Sequence, residues 1–121
     1  MTEVFKQSKG KRQLSTIPVV ALVETAKAFE FGLTKYSYKL SWRDGDLSHV
    51  ELLDAVRRHI LKYLSGEECA ADSKVSHLAH ASAGLAMLMD LKALGLGRDD
   101  RPAACPLDMY GSNPWDEGEH E

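Results

Sequence analysis

Between Pro18 and Leu94 the apolar residues fall into three blocks in which they recur at spacings of three and four. No alternation of apolar and polar residues lasts beyond four positions. Spacings of three and four lay one continuous stripe along a helix, whereas a half-buried strand needs period two. The chain is thereby constrained to an all-α fold, and what remains is where each helix starts, stops and faces.

The first block opens at Pro18, whose missing N–H costs nothing in a first helical turn. It places Val19, Leu22, Val23, Ala26 and Phe29 on one stripe predicted to be buried, and Gly32 is its natural stop. The following "LTKYSYKLSWRDGD" has no period and ends in the turn signal Asp44-Gly45-Asp46, so an ordered loop is expected. The second helix starts at Ser48-His49-Val50-Glu51, an S-x-x-E capping box in which serine and glutamate each satisfy a free backbone N–H. Leu52, Leu53, Val56, Ile60, Tyr63 and Leu64 form its apolar side, and Ser65-Gly66 ends it. The acidic link "EECAAD" leads to a third helix, expected to be capped by Asp72 or Ser73 and to stop at Gly95. That cap would put "HLAHA", His77 to Ala81, well inside the helix.

Both ends read as solvated arms. Residues 1–16 carry Lys6, Lys9, Lys11 and Arg12 against Glu3, while from Arg98 onward seven acidic residues face two arginines. The organisation expected is a basic arm over 1–16, a helical core over 17–97 and an acidic coil tail over 98–121, over which Trp115 could pin the tail to the helices. Four basic charges beside an acidic tail are weak grounds for recognising a phosphate backbone, so nucleic acid is set aside as a partner. Cys69 and Cys105 match neither a zinc spacing nor a disulfide framework, which suits a reducing cytoplasm. The longest apolar runs, "IPVVALV" and "LAMLM", fall well short of the roughly 20 residues that cross a bilayer. The first residues lack the order of a signal peptide. Three helices supply limited buried area, and "AGLAMLM" gives the third more apolar surface than two neighbours cover, so a homodimer or homotetramer is expected.

Several residues could carry chemistry. His77 and His80, three apart on a helix, can point at one object: a transition metal, or simply a packed interface. Asp54 stands among Leu53, Ala55 and Val56, with Arg58 one turn on. It reads either as half of a surface ion pair or as a carboxylate facing the bundle interior, with Arg58 or His59 near it for phosphate. Glu51 is already explained by the capping box. Glu67, Glu68 and Asp72 place three carboxylates in the link, the oxygen ligands that magnesium or manganese needs. Lys35, Lys39 and Arg43 interleave with Tyr36, Tyr38 and Trp42 in the loop, and cations beside aromatic rings suit a nucleotide.

In this order "VETAKAFEFGLTKY", Trp42, "LLDAVRRHI", "SGEE", "SHLAHA" and "GLGRDDRP" resemble a phage family, the small MazG-like dATP/dGTP diphosphohydrolases, from about Pro18 to Pro102. The resemblance implies a MazG-like all-α oligomer, dependence on Mg2+ or Mn2+, and hydrolysis of purine deoxynucleoside triphosphates to monophosphate and pyrophosphate inside an infected bacterium. Of the metal motifs of the wider superfamily, Glu51-x-x-Asp54 fits half of one, and His77-x-x-His80 stands where acids would be expected. On that footing Asp54, Glu67, Asp72 and His80 are expected to hold metal. Lys35 and Arg58 would neutralise the phosphates, Tyr36 or Trp42 would stack on the purine with His59 close by, and His77 would orient water. The alternative is a non-catalytic helical oligomer that binds a nucleotide or a host protein.

Overall fold

The computed structural model describes residues 9–103 and residue 111. Three helices carry the fold: α1 (Val19–Gly32), α2 (His49–Leu64) and α3 (His77–Leu94). Two isolated bridges, Ser48 with Arg98 and Cys69 with Ser76, are the only β pairing among the described residues. Short 3-10 turns lie at Leu14–Thr16 and Ser41–Asp44. Cys105 and Trp115 lie outside the described residues.

The central helix is α3, and α1 and α2 each pack on it while barely touching one another. The contacts are made by small residues. Ala28 of α1 meets Ala79 and Ala83 of α3, flanked by Phe29 and Val75. On the other side Val56 of α2 seats against Gly84, so closely that a Cβ built on Gly84 would lie 2.6 Å from Val56 Cγ2. Alanine and glycine let backbones approach, which leaves α1 and α2 splayed apart at the top of α3 with a cleft between them.

Helix ends follow from local chemistry, with two departures from expectation. Ser48 caps α2 as predicted, its hydroxyl accepting the Glu51 N–H at 3.1 Å. The reciprocal partner is not Glu51 but Asp100, which accepts the Val50 N–H at 3.0 Å and the Ser48 hydroxyl. This is possible because Arg98 N–H donates to Leu47 O at 2.8 Å and His49 N–H to Arg98 O at 2.9 Å, strapping "GRDD" across the start of α2. The second departure is α3, which is capped by Ser76 rather than Asp72 or Ser73. Ala70 N–H donates to Val75 O and Lys74 takes a positive φ of 63°, so residues 70–75 form a tight turn that uses up the predicted caps. His77 therefore opens α3 and His80 lies in its first turn. At the far end Gly95, at φ 67°, stops the helix as expected.

The predicted stripe of α1 is not buried. Val19, Val20 and Leu22 are each about two-thirds or more exposed, Val23 is about half exposed, and Ala28 is the only fully buried residue of the helix. The reason is geometric: α1 meets α3 through its C-terminal half, and its first two turns run past the end of the contact. No helix among the described residues is long and apolar enough to cross a membrane.

Candidate active site

The splay of α1 and α2 opens a cleft of about 1260 Å³, floored by α3 and closed on its third side by the loop from Leu33 to Leu47. The loop is held by a polar clamp. Arg43 donates from Nε and Nη2 to the two oxygens of Asp90 at 2.8 and 2.7 Å, and Trp42 Nε1–H reaches Asp90 at 2.8 Å. Trp42 also packs on Phe29 with ring centroids 5.2 Å apart. With two donors on its carboxylate, Asp90 is held below the usual carboxylate range, first by Arg43 and then by Trp42. Tyr36 lines the cleft and is 60% exposed, which leaves its ring free to meet a ligand.

One end of the cleft is walled by imidazoles. His59 of α2 and His80 of α3 stack at 4.7 Å with their planes 14° apart, and both line the cleft. Behind them His77 is fully buried and bonded at both nitrogens: Nε2 to Glu67, and Nδ1 to His59 Nδ1 at 2.8 Å. A carboxylate only accepts, so His77 Nε2 carries a proton; in the neutral ring Nδ1 is then a lone pair, and His59 Nδ1–H donating to it leaves His59 Nε2 as an acceptor. The series Glu67, His77, His59 thus ends on a nitrogen able to take a proton.

His80 is set by the turn before α3. Ser73 Oγ accepts the Val75 N–H and so donates its own hydrogen to His80 Nε2 at 2.7 Å. Both accessible imidazoles titrate below the ordinary histidine value. Burial is the largest cause for each; His80 and His77 add repulsion at His59, while Asp72 opposes the fall at His80. Neutral rings that accept protons are therefore the resting state near pH 7.

Of the sequence-predicted residues, the structure brings His59, His77, His80, Glu67, Lys35 and Tyr36 together around this end of the cleft, with Trp42 in its wall. Lys35 stands over the Phe31 ring at 4.9 Å and 3.9 Å from Asp72. Asp54 is not among them. It is exposed on α2, lines neither cavity and makes no ion pair with Arg58, so it does not face the bundle interior. The position faces away because Val56, two residues on, takes the α3 side.

The expected metal set does not fit this arrangement. Among the described residues no group of three or more His, Cys, Asp or Glu side chains is placed to hold a metal ion. The donors are already engaged: Glu67 with His77, His77 at both nitrogens, His80 with Ser73, and Asp72 with the Ser73 N–H. Sequence reasoning named Ser73 only as a helix cap and did not single out Asp90. Asp90 did leave a signal, as the lone acid in the apolar run "AGLAMLMDL" opposite a cationic loop.

The cleft thus has an aromatic wall and ends in two stacked imidazoles, on an all-helical scaffold. The chain belongs to the dATP/dGTP diphosphohydrolase family, whose N-terminal model matches residues 1–101. It is 32% identical over 97 residues to a dATP/dGTP diphosphohydrolase of Salmonella phage PMBT28, a match covering 80% of this chain and 32% of that protein. The chain thus spans about a third of that relative's length. No solved structure matches.

Proposed function

We propose that this protein hydrolyses purine deoxynucleoside triphosphates, dATP or dGTP, to the monophosphate and pyrophosphate. The observation that carries the reading is the Glu67, His77, His59 series, which presents an unprotonated nitrogen at the end of a cleft wide enough for a nucleoside. The purine lies along the aromatic wall, against Tyr36 and Trp42, and Lys35 and Arg58 neutralise the triphosphate. His59 Nε2 takes a proton from water as its oxygen bonds to the α-phosphorus. The bond from that phosphorus to the bridging oxygen breaks, and pyrophosphate leaves. His77 holds His59 in the required tautomer by accepting its Nδ1–H, and the half-exposed Glu67 carboxylate fixes His77 in turn and offsets the positive charge that develops on the imidazoles.

Since the described side chains do not assemble a metal site, a magnesium or manganese ion would enter as the triphosphate's own counterion. The open apolar face of α1 fits assembly as a homodimer or homotetramer, to be read by light scattering. The direct test of the function is incubation with each common nucleoside and deoxynucleoside triphosphate plus manganese or magnesium, with pyrophosphate measured. Product from dATP or dGTP above the others supports the reading, and no product from any triphosphate at high protein concentration sinks it. One observation favours a second reading, a nucleotide-binding module without catalysis: among the described residues no three His, Cys, Asp or Glu side chains come together to hold a metal. Calorimetry that finds dGTP bound without metal, and without turnover, would select it.

A further inference from the structure

Behind the imidazole wall lies a second, smaller cavity of about 350 Å³, on the side of His59 away from the aromatic loop. Its lining includes Arg58, His59 and Lys62 of α2, Asp72 of the turn, and His77. Arg58 and Lys62 are four residues apart, so their side chains rise from one face of the helix, where like charges repel. Neither makes an ion pair or a side-chain hydrogen bond among the described residues. Of the carboxylates around it, Glu67 is bonded to His77, and Asp72, itself in the lining, accepts the Ser73 N–H and lies 3.9 Å from Lys35. The concave site thus carries two cations, one a planar fork and the other a point charge, against the single carboxylate of Asp72 in its lining. That donor set matches phosphoryl oxygens, to which guanidinium binds bidentately and ammonium as a charge. The volume, at the low end for ligand pockets, suits a small anion rather than a whole nucleotide.

We propose that this cavity is a pyrophosphate subsite, in which Arg58 and Lys62 bind the two terminal phosphates of the nucleotide. His59 lines both this cavity and the cleft. A nucleotide with its base on the aromatic wall therefore passes His59 at its α-phosphate and sets its leaving group on the two cations. This deepens the proposed hydrolysis and rests on it for the identity of the leaving group, while the anion site itself can be measured without turnover.

The experiment is calorimetric and 31P NMR titration of the full chain with inorganic pyrophosphate, then with inorganic phosphate, then with dGTP. Each is repeated on Arg58→Gln, Lys62→Gln, the double variant and Tyr36→Ala, after thermal melts show that the variants fold. The expected result is binding of pyrophosphate to the parent, tighter than phosphate, weakened several-fold by either single change and more than tenfold by both, and untouched by Tyr36→Ala. Pyrophosphate should also displace dGTP. Failure of the parent to bind pyrophosphate, or equal binding by the double variant, overturns the subsite. If pyrophosphate binds through the two cations but no triphosphate is hydrolysed, the subsite stands and the hydrolase reading falls. If triphosphates are hydrolysed and the double variant keeps the parent's KM, the reverse holds.

Discussion

Gly84 is where α2 and α3 come closest, and Gly84→Ala tests that approach. An added Cβ would sit 2.6 Å from Val56 Cγ2, about 1 Å inside the distance at which carbon atoms attract. Val56 is 4% exposed, and a β-branched side chain in a helix has essentially one rotamer, so it cannot turn away. Separating the helices to make room costs about 1–3 kcal/mol, as overpacked cores do. Alanine regains about 1 kcal/mol over glycine as a helix former, so the net is a loss of roughly 0–2 kcal/mol. For a domain of this size that is a fall of up to about 10 °C in Tm. Val56→Ala alone removes packing worth about 1.5 kcal/mol or more. In the double variant the new methyl occupies space the old one left, so the losses combine to at least about 1 kcal/mol less than their sum. Urea denaturation of the four proteins gives the coupling. If Gly84→Ala raises stability by the full helix-propensity gain, or if the two changes simply add, the close approach is wrong. The loss should also reach the site, because His59 and His80 lie about one turn from Val56 and Gly84, and their stack depends on the same spacing.

Four further expectations follow from the same geometry. His59→Asn should lower kcat for triphosphate hydrolysis by about 10²-fold or more, the usual worth of a general base. Glu67→Gln should lower kcat less and shift the pH profile, with KM nearly unchanged in both; steady-state pyrophosphate release at several pH values reads this, and a pure KM effect would refute the relay. Stability should fall as pH drops below about 7, until the folded chain's own imidazoles protonate, because His59 and His80 titrate lower in the folded than in the unfolded chain. The sign follows from proton counting: below about 6.5 the unfolded state binds more protons and is favoured. Asp90 and Asp100, whose shifts are downward, act only at more acidic pH, so a flat urea midpoint from pH 8 to 5.5 would contradict the histidine assignment. Asp90→Ala strips Arg43 and Trp42 of their shared acceptor, and limited proteolysis should then cut within 33–47 faster than in the parent.

How much of this was legible in the sequence depends on whether the cause was local. The starts and stops of α1 and α2 could be read because Pro18, the Ser48 cap and Ser65-Gly66 act within one turn of themselves. The start of α3 could not, since Asp72 and Ser73 are good caps that a turn closed by Ala70 and Val75 has taken for itself. Burial failed in the same way. Periodicity showed that α1 has an apolar stripe but not that α3 would cover only its second half, because the crossing is set by where Ala28, Ala79 and Ala83 permit contact. At the cleft the sequence brought His77 and His80 forward on spacing, yet spacing relates only residues on one helix. The bond from His59 to His77 joins two helices, and Glu67 reaches His77 because His77 N–H is tied to Glu68 O, which folds the link back onto the start of α3. The acidic link was expected to supply metal ligands from its charge, its place between the two helices and the family resemblance. In the folded chain one of its carboxylates, Glu67, is bonded to the buried His77, a contact that charge and position in the sequence do not reveal.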